Sequence, residues 1–554
     1  MSPDNIIRSS MLWAAYGDAL GFITELCDER TLSYRTGGQT RITSLIPWKR
    51  KIGGEYGVSW PLPKGCYSDD TQLRLAVCRS IREDGVFDVE PFAKVELPIF
   101  TSYALGAGTS TKSAAESLRK KNTNWNTNFY QTPRSRYIDA GGNGGAMRIQ
   151  PHVWSAKKHA AESDLLRDII RDTIVTHGHA TAIVGAVFHA LMLRRVLINR
   201  SSVPAHEWQA IVEQAEKIPE IVHADEELSV LWLPEWERLS EMSFESAVRK
   251  SATELMADVR KATDLLSSSR KTKDRAPLYA EILSAIGALD RTRFGSATKT
   301  ALLAACIGEV FAENPQDGLV ACVNVLHSDT DTIATMAGAL MGATGLSDPP
   351  DRVMDTEYLE QEASRLSAIS DGRETKRHQY PDLLSWNPPL SNLDAIASDG
   401  TKLLLRGFGE VSGGGQSIEQ KGKFACVWQE VKTSFGQTLV VKRRKSPKKI
   451  GEDDLPVSAA SQVVSPKSAE RKAASGTMGG SQLELPGHKS LPKTQQAPLT
   501  VDRAADLAIN SGFDEGVIGH FLVGLAEQQD GLEKAIGFAA IIAKAKRYRM
   551  KKSI

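Results

Sequence analysis

The chain has 554 residues, of which 41% are hydrophobic and 24% charged, and its formal net charge at pH 7 is +1. This length predicts two or three folding units, and the near-zero charge excludes an overall electrostatic attraction to nucleic acid or to membranes. The six cysteines form no CxxC pair, which argues against a disulfide framework and a zinc site. Because we find neither a signal peptide nor an apolar run of bilayer-spanning length, we expect a cytoplasmic location.

Residues 1–375 are predicted to be mostly helical, because apolar residues recur at helical spacing in segments that are also rich in alanine and glycine. The six segments are Ile6–Leu20, Thr71–Arg82, Ile169–Leu193, Leu278–Leu289, Thr298–Phe311 and Thr330–Met341. Strand-like alternation is scarce, so this part is predicted to be an all-α domain. Long polar loops are expected at Ser33–Pro63 and Asn122–Asp139.

The composition changes after Pro381. Residues 385–443 are glycine-rich and predict a small β-rich region, with strand-like runs at Lys402–Leu405, Phe424–Val427 and Thr438–Val441. Residues 444–500 are rich in Ser, Lys, Pro and Gln and poor in aromatic residues, which is typical of a disordered linker. Residues 501–554 regain apolar spacing and predict a short helical module that ends in a basic tail.

The first candidate site motif is Ser68-Asp69-Asp70, which stands directly before a predicted helix. Carboxylates at a helix start are stabilised by free N–H groups and by the helix dipole. Taken alone, this motif is therefore most simply interpreted as a helix cap.

The second candidate motif is Asp329-Thr330-Asp331-Thr332, which also precedes a helix rich in small residues. Asp329 and Asp331 are separated by one residue, so in a turn that enters a helix both carboxylates can point towards one bound ion. Carboxylate and hydroxyl oxygens are hard ligands that suit Mg²⁺, Ca²⁺ or Mn²⁺ better than zinc. The alternative is a second cap, although two caps this acidic are less expected in one chain than one.

Three weaker features accompany these motifs. Asp18 lies between glycines in the sequence GDALG, which indicates close backbone packing, and Glu25 follows about one turn later. The glycine run Gly141–Gly145 precedes a predicted helix and can present backbone N–H groups to a phosphate, although a flexible loop is the simpler reading. His177 and His179 stand at the start of a small-residue helix, where a cap is more common than a ligand.

The order of these motifs is more specific than any one of them. GDALG with Glu25, then SDDT, GNGGAMR, THGHA and SDTDTIATMAGALMGA, resembles the ADP-ribosylglycohydrolase family over roughly residues 5–370. The resemblance implies an orthogonal all-α bundle whose cleft holds two Mg²⁺ ions, with Mn²⁺ as an alternative. It also implies hydrolysis of the glycosidic bond between ADP-ribose and a modified macromolecule.

The resemblance assigns expected roles by position. It implies metal ligation by Ser68, Asp69, Asp70, Asp329, Asp331 and Thr332. It implies substrate contacts by Asn143, Gly144, Gly145, Met147 and His177. The residues expected to take part in catalysis are Glu25, Asp69, Asp70 and Asp331, with Glu25 as the mobile acid–base group beside the metals.

The chain departs from the family pattern at three positions. His327 and Ser328 stand where many members have two glycines, and Ser68 stands where threonine is common. The hydroxyl of Ser68 keeps an oxygen ligand, whereas His327 is expected to crowd the sugar or to add a contact.

Other functions and partners remain open on the sequence alone. A non-catalytic ADP-ribose-binding protein is one alternative, and a hydrolase that acts on ADP-ribosylated nucleic acid with C-terminal targeting is another. The basic segments Lys442–Lys449 and Lys544–Lys552 are candidates for such targeting, although solvated tails are the simpler interpretation. The linkage cleaved, on arginine, serine or a nucleobase, and the oligomeric state do not follow from the sequence.

Overall fold

The computed structural model describes residues 3–54, 56–157, 160–268, 275–422, 425–457, 499–528 and 531–552. The chain divides into a first unit, Met1–Pro456, and a second unit, Val457–Ile554. The described residues are mostly helical, and a separate β-sheet lies towards the C-terminal end of the first unit. Most of the predicted disordered linker, residues 458–498, lies outside the described residues.

The helices of the first unit carry most of its core. They are α1 (Pro3–Gly21), α2 (Glu29–Thr36), α3 (Asp69–Ser80), α4 (Val89–Pro91), α5 (Leu97–Phe100), α6 (Thr109–Leu118), α7 (Gln150–Ser155), α8 (Glu162–Ile174), α9 (Ala180–Asn199), α10 (Trp208–Glu213), α11 (Ile218–Ala224), α12 (Leu233–Ser240), α13 (Phe244–Ser268), α14 (Ala276–Ala285), α15 (Ala297–Val310), α16 (Pro315–Val323), α17 (Thr330–Gly342) and α18 (Thr356–Ser370).

Helices α1 and α17 pack backbone against backbone in antiparallel fashion. A Cβ at Gly17 would lie 2.2 Å from the Ala334 carbonyl oxygen, and one at Gly338 would lie 2.3 Å from the Trp13 carbonyl oxygen. The close packing expected around Asp18 is thus confirmed. The contact brings the C-terminal end of α1 to the N-terminal end of α17, which carries the second acidic motif.

The prediction of a polar loop over Ser33–Pro63 is wrong at its start and in its second half. The end of α2 lies at its start, and an antiparallel hairpin of β1 (Trp48–Ile52) and β2 (Val58–Leu62), with Trp48 paired to Leu62, lies in its second half. Trp48 and Ile52 are buried, whereas Lys49 and Lys51 are exposed. This alternation is a strand pattern that is too short to stand out among the surrounding polar residues.

The β-sheet region extends beyond its predicted end at residue 443. Its strands are β3 (Ile396–Ser398), β4 (Leu403–Leu405), β5 (Gly409–Ser412), β6 (Ser417–Gln420), β7 (Cys426–Thr433), β8 (Thr438–Arg443) and β9 (Lys448–Lys449). The sheet runs β6-β7-β5-β4-β3-β9, β8 also pairs with β7, and only the β3–β9 pair is parallel. Strand β9 therefore occupies the start of the predicted linker.

The sheet packs on the helices through buried polar groups. Arg79 on α3 forms a two-pronged ion pair with Glu96, at 2.7 and 2.8 Å, and donates to the Gln437 side chain at 2.9 Å. Asp355 accepts the Tyr67 hydroxyl at 2.7 Å and the Thr438 N–H at 2.8 Å. Sheet residues thus help to hold Tyr67, which directly precedes the first acidic motif.

Two features of the helices bear on the sequence-based expectations. The helical segment Ile169–Leu193 is divided between α8 and α9, and α9 begins next to His179, as expected for a helix start at His177 and His179; a Cβ at Gly178 between the two helices would lie 2.3 Å from the Tyr137 ring. Among the described helices, α9 alone has the length and apolarity of a membrane span, and 72% of its apolar window is buried inside the protein. It is a core helix, because the protein itself surrounds most of its apolar surface.

The second unit contains three described helices, α19 (Val501–Asn510), α20 (Glu515–Ala526) and α21 (Gly531–Lys552). Phe521 on α20 packs edge-to-face with Phe538 on α21, whose ring centroid lies 6.5 Å away. The Arg549 guanidinium lies over the Phe513 ring at 5.1 Å. The helical character expected for this part of the chain is confirmed.

Candidate functional site

The two acidic motifs meet at the facing N-terminal ends of α3 and α17. Thr332 Oγ1 lies 3.5 Å from Asp70 Oδ1, although the two residues are 262 positions apart in the sequence. Ser68 is the N-cap of α3, and its hydroxyl accepts the Asp70 N–H at 3.1 Å. Asp69 and Asp70 occupy the first turn of α3, and Asp331 and Thr332 occupy the first turn of α17.

The interpretation of the second motif as a helix cap fails for Asp329. Asp329 stands at the N-cap position of α17 but makes no side-chain cap bond. Its Oδ2 instead accepts a hydrogen bond from Asn143 Nδ2 at 2.8 Å, and Asn143 also donates to Thr300 Oγ1 at 3.0 Å. The predicted glycine-loop residue Asn143 is thus joined to the acidic cluster.

Asp18 adds two capping hydrogen bonds at the start of α3 to the one that the Ser68 hydroxyl accepts. Its fully buried carboxylate accepts the N–H of Ser68 at 2.9 Å and that of Thr71 at 2.8 Å. Asp18 therefore fixes the start of α3 from the opposite helix. The sequence drew attention to this residue only through its flanking glycines.

Arg74 is a buried cation that sequence reasoning missed. Its guanidinium donates to Thr335 Oγ1 at 2.6 Å, to the Met147 carbonyl at 3.2 Å and to Gln150 Oε1 at 3.0 Å. It thereby ties α3 to α17 and to the loop before α7. An arginine within a helix carries no local signal that distinguishes it from a surface arginine, and these partners lie up to 261 residues away.

The carboxylates of the cluster destabilise one another. Burial, followed by the Glu25 charge, raises the pKa of Asp69 from 3.8 to about 7. Burial and then Glu25 and Asp70 raise the pKa of Asp331 well above its ordinary value, and burial with Asp18 and Asp69 does the same for Asp70. Ionised together, these groups are stable only with a compensating positive charge between them.

One atom of the cluster marks where such a charge fits. Asp70 Oδ2 is buried and has no hydrogen-bond partner within the described part of the chain. A buried carboxylate oxygen without a partner is costly, and a hard divalent cation would satisfy it. Over the described ranges no three acidic, His or Cys side chains already converge closely enough to hold a metal, so the carboxylates would have to turn inward around one.

The glycine loop packs against His177. A Cβ at Gly144 would lie 2.8 Å from His177 Cε1, and one at Gly145 would lie 2.8 Å from Thr173 Cγ2, so side chains do not fit at either position. The Asn143 N–H is bonded to the Gly295 carbonyl at 2.8 Å and is not available to a phosphate. Met147, predicted to contact substrate, is buried.

His177 lies before its helix and is held as a neutral ring. The N-cap of α9 is His179, whose side chain accepts the Thr181 N–H. Burial lowers the pKa of His177 to about 3, and its Nδ1 lies 2.7 Å from Thr176 Oγ1. Arg148 joins this hydroxyl to the loop, because it bonds both Thr176 Oγ1 at 3.0 Å and the Gly144 carbonyl at 2.9 Å.

Three residues in the left-handed backbone region adjoin residues of the site: Leu26 follows Glu25, His327 precedes Ser328, and the Ala107 backbone is hydrogen-bonded to Asp69. Leu26 has φ +53° and is 61% exposed, Ala107 has φ +67° and His327 has φ +68°. A left-handed conformation is strained for residues with a Cβ, and such strain concentrates at functional sites. At position 327, where many members of the family that the motifs resemble have glycine, the chain thus keeps a glycine-type backbone and adds an exposed imidazole.

Because α1 and α17 are in close backbone contact, adding one methyl group at Gly21 should strongly affect stability and activity. A Cβ at Gly21 would lie 2.4 Å from the Thr330 carbonyl oxygen and 2.5 Å from Asp331 Cα. We expect Gly21→Ala to lower the free energy of unfolding by about 1–3 kcal/mol, as overpacking does, and to lower activity by about 100-fold through displacement of Asp331. Chemical denaturation and initial rates measure these effects.

The control for this substitution is Gly308→Ala on α15. Its Cβ would meet only Leu340, at an ordinary contact distance of 3.7 Å. Alanine is favoured over glycine in a helix by about 1 kcal/mol, so this variant should be at least as stable as the wild type. Equal behaviour of the two variants would contradict the packing argument.

Comparison with known proteins places the chain. Residues 2–376 match the model of the ADP-ribosylglycohydrolase family. The zebrafish (Danio rerio) protein named ADP-ribosylhydrolase ARH3 is 25% identical over 289 residues, which are 50% of this chain and 69% of that protein. A solved structure titled "ADP-ribosylglycohydrolase-related protein complex" aligns with a TM-score of 0.41 and 21% identity, over 66% of this chain and 99% of that one. The chain belongs to the ADP-ribosylglycohydrolase family.

Proposed function

We propose that this glycohydrolase removes ADP-ribose from a modified macromolecule with the help of two Mg²⁺ or Mn²⁺ ions. The observation that carries the proposal is the meeting of the two acidic motifs from distant segments: Thr332 Oγ1 lies 3.5 Å from Asp70 Oδ1, and the other oxygen of the same carboxylate, Asp70 Oδ2, is buried and without a partner among the described residues. None of the acidic positions implied by the family is missing, which favours an enzyme over a non-catalytic binding protein.

The residues fit such ions by their chemistry. Ser68, Asp69, Asp70, Asp329, Asp331 and Thr332 would hold them through hydroxyl and carboxylate oxygens. When bound, the ions would lower the pKa of a water molecule and neutralise the carboxylates. The chain's own groups orient these ligands. Asn143 donates a hydrogen bond to the Asp329 carboxylate, and Asp18 accepts the Ser68 N–H at the start of α3.

Glu25 is the group that we assign to proton transfer at the glycosidic bond. The assignment is supported by the effect of its charge, which raises the pKa of both Asp69 and Asp331. From there a carboxylate can accept a proton from water or give one to the leaving group as positive charge develops on the sugar. The neutral His177 ring and Gly144, which pack against each other, would form one wall of the site for the rest of the ligand.

The class of macromolecule that carries the ADP-ribose, protein or nucleic acid, stays a prediction. The basic segment Lys442–Lys449 is partly neutralised within the sheet region, because Asp394 pairs with Arg444 and with Lys448 at 2.9 Å, and Glu419 pairs with Lys445 at 3.1 Å. This pairing weakens the argument that the segment binds nucleic acid. Protein substrates are therefore the first to test.

The test is a hydrolysis screen over conjugates that carry ADP-ribose on arginine, on serine and on a nucleic-acid end. Release of ADP-ribose from at least one of them is expected with Mg²⁺ or Mn²⁺ and not with EDTA. The double variant Asp329→Ala, Asp331→Ala should lose this release by about 1,000-fold or more, which corresponds to ~4 kcal/mol of barrier. Tight binding of ADP-ribose without turnover of any conjugate would instead show a binding protein.

A further inference from the structure

Glu25 stands in surroundings that repel its charge. It lies in the turn that follows α1, with its N–H bonded to the Gly21 carbonyl at 2.9 Å. The same Gly21 carbonyl accepts the hydroxyl of Thr330, the residue before Asp331, at 3.0 Å, so the turn that carries Glu25 lies beside the second acidic motif. Without a nearby cation, the Glu25 side chain would turn away from the cluster.

Arg50 on strand β1 supplies that cation. Its Nη1 lies 2.6 Å from Glu25 Oε2, and both side chains are 16% exposed. The guanidinium also stacks over the Phe22 ring at 4.6 Å, so it is held from one side by an aromatic face and from the other by the carboxylate. Asp331 and Asp69 act on the Arg50 charge as well.

Arg35 on α2 fixes the backbone of the same turn. Its Nη1 donates to the Glu25 carbonyl at 2.8 Å and to the Ile23 carbonyl at 3.1 Å. Its guanidinium lies over the Trp48 ring at 5.4 Å. Trp48 belongs to the same strand as Arg50. The hairpin therefore supports both arginines, because it carries Arg50 and contacts Arg35 through the Trp48 ring.

The hairpin is a firm support for these contacts. Five consecutive residue pairs join β1 to β2, from Trp48 with Leu62 to Ile52 with Val58. Trp48 and Ile52, which flank Arg50 on the inner face of β1, are buried. A functional side chain is held most accurately when its support lies on regular structure rather than in a loop.

The geometry points to Arg35 and Arg50 as positioning residues that hold Glu25 at the edge of the acidic cluster, an inference that rests on the function proposed above. Arg35 sets the path of the turn, and Arg50 orients the carboxylate. Arg50 also places one positive charge beside Asp69 and Asp331, which competes electrostatically with a bound cation. The pair therefore favours turnover at the expense of metal affinity.

The test is Arg50→Met, which keeps length and apolar packing but removes the charge. With the conjugate found in the hydrolysis screen, we expect kcat to fall by about 10- to 100-fold, the usual effect of losing a group that orients a metal-site residue, with little change in KM. Mg²⁺ titrated calorimetrically into the protein without substrate should bind more tightly than in the wild type. Amide hydrogen exchange of residues 22–28 in the metal-free protein should become faster.

Two further variants separate positioning from mere structure. Arg50→Lys keeps the charge, so its Mg²⁺ affinity should stay at the wild-type value and part of kcat should return. Arg249→Met removes an exposed arginine that pairs with Glu245 on α13, and it should change none of the three measurements. An unchanged kcat in Arg50→Met, or a fall of kcat and Mg²⁺ affinity together, would overturn the inference.

The outcomes also separate this inference from the proposed function. If the wild type hydrolyses no conjugate, the proposed function fails. The exchange of residues 22–28 and the Mg²⁺ titration still test the contact between Arg50 and Glu25. If hydrolysis occurs but neither quantity changes in Arg50→Met, the positioning role alone is refuted.

Discussion

Asp331→Asn is expected to abolish hydrolysis and at the same time to make the metal-free protein more stable. Asp331 is buried among Glu25, Asp70 and Asp329, and these charges raise its pKa well above the ordinary value. Removing its charge relieves that repulsion. Activity should nevertheless fall by about 1,000-fold or more, or ~4 kcal/mol of barrier, because a proposed metal ligand is lost.

The stability gain should depend on pH in a defined direction. Burial and the neighbouring carboxylates raise the pKa of Asp331 well above its ordinary value of 3.8, so the folded protein binds this proton more tightly than the unfolded chain does. Stability from such groups is full at about pH 4 and decreases as the pH rises towards 7. The advantage of Asp331→Asn over the metal-free wild type should therefore grow over this interval.

Thermal unfolding between pH 5 and 8, with and without Mg²⁺, measures this effect. Mg²⁺ should stabilise the wild type, since a ligand that binds only the folded state does so, and should stabilise the variant much less. Asp164→Asn, an exposed carboxylate on α8 that pairs with Arg167, is the matched control and should show neither change. Lower stability of Asp331→Asn in the metal-free protein would contradict the repulsion argument.

A chain that ends at Lys376, where the family match ends, is expected to lose both its fold and its activity. Without the β-sheet, Arg79 loses the Gln437 side chain and the rings of Phe408 and Phe435 that lie 5.4 and 5.0 Å from its guanidinium. An unsatisfied buried donor costs about 1–3 kcal/mol, and each buried sheet side chain such as Leu439 that is lost removes a further ~1.5–3 kcal/mol. These losses are comparable with the whole stability of a protein.

The effect should reach the candidate site itself. Asp355 would lose both bonds from Thr438, and it holds the hydroxyl of Tyr67, the residue before Ser68. Soluble yield, far-ultraviolet circular dichroism and hydrolysis of the conjugate measure the outcome. A chain that ends at Val457 retains the whole first unit and is the control that should remain folded and active. Full activity of the shorter chain would show that the sheet is a separable appendage.

Local sequence determined the acidic motifs and the close helix packing. Asp69, Asp70, Asp329 and Asp331 stand at helix starts that their own neighbours predict, and Gly17 marked a helix contact that the structure confirms. The ordered motifs were also sufficient to indicate the family. Each of these signals lies within a few residues of chain, which is the range over which helical periodicity and capping act.

Only the tertiary structure decided what surrounds those motifs. The sequence predicts a polar loop around Arg50, whereas its contact with Glu25 depends on the hairpin of β1 and β2. Arg74 looks like any helical arginine until α17 and the loop before α7 cover it. The N-cap position of Asp329 predicted a capping bond, yet Asn143, 186 residues away, takes its carboxylate instead. The partner that each of these side chains finds depends on long-range packing and charge, which no local sequence pattern encodes. The helix starts themselves are set by neighbouring residues.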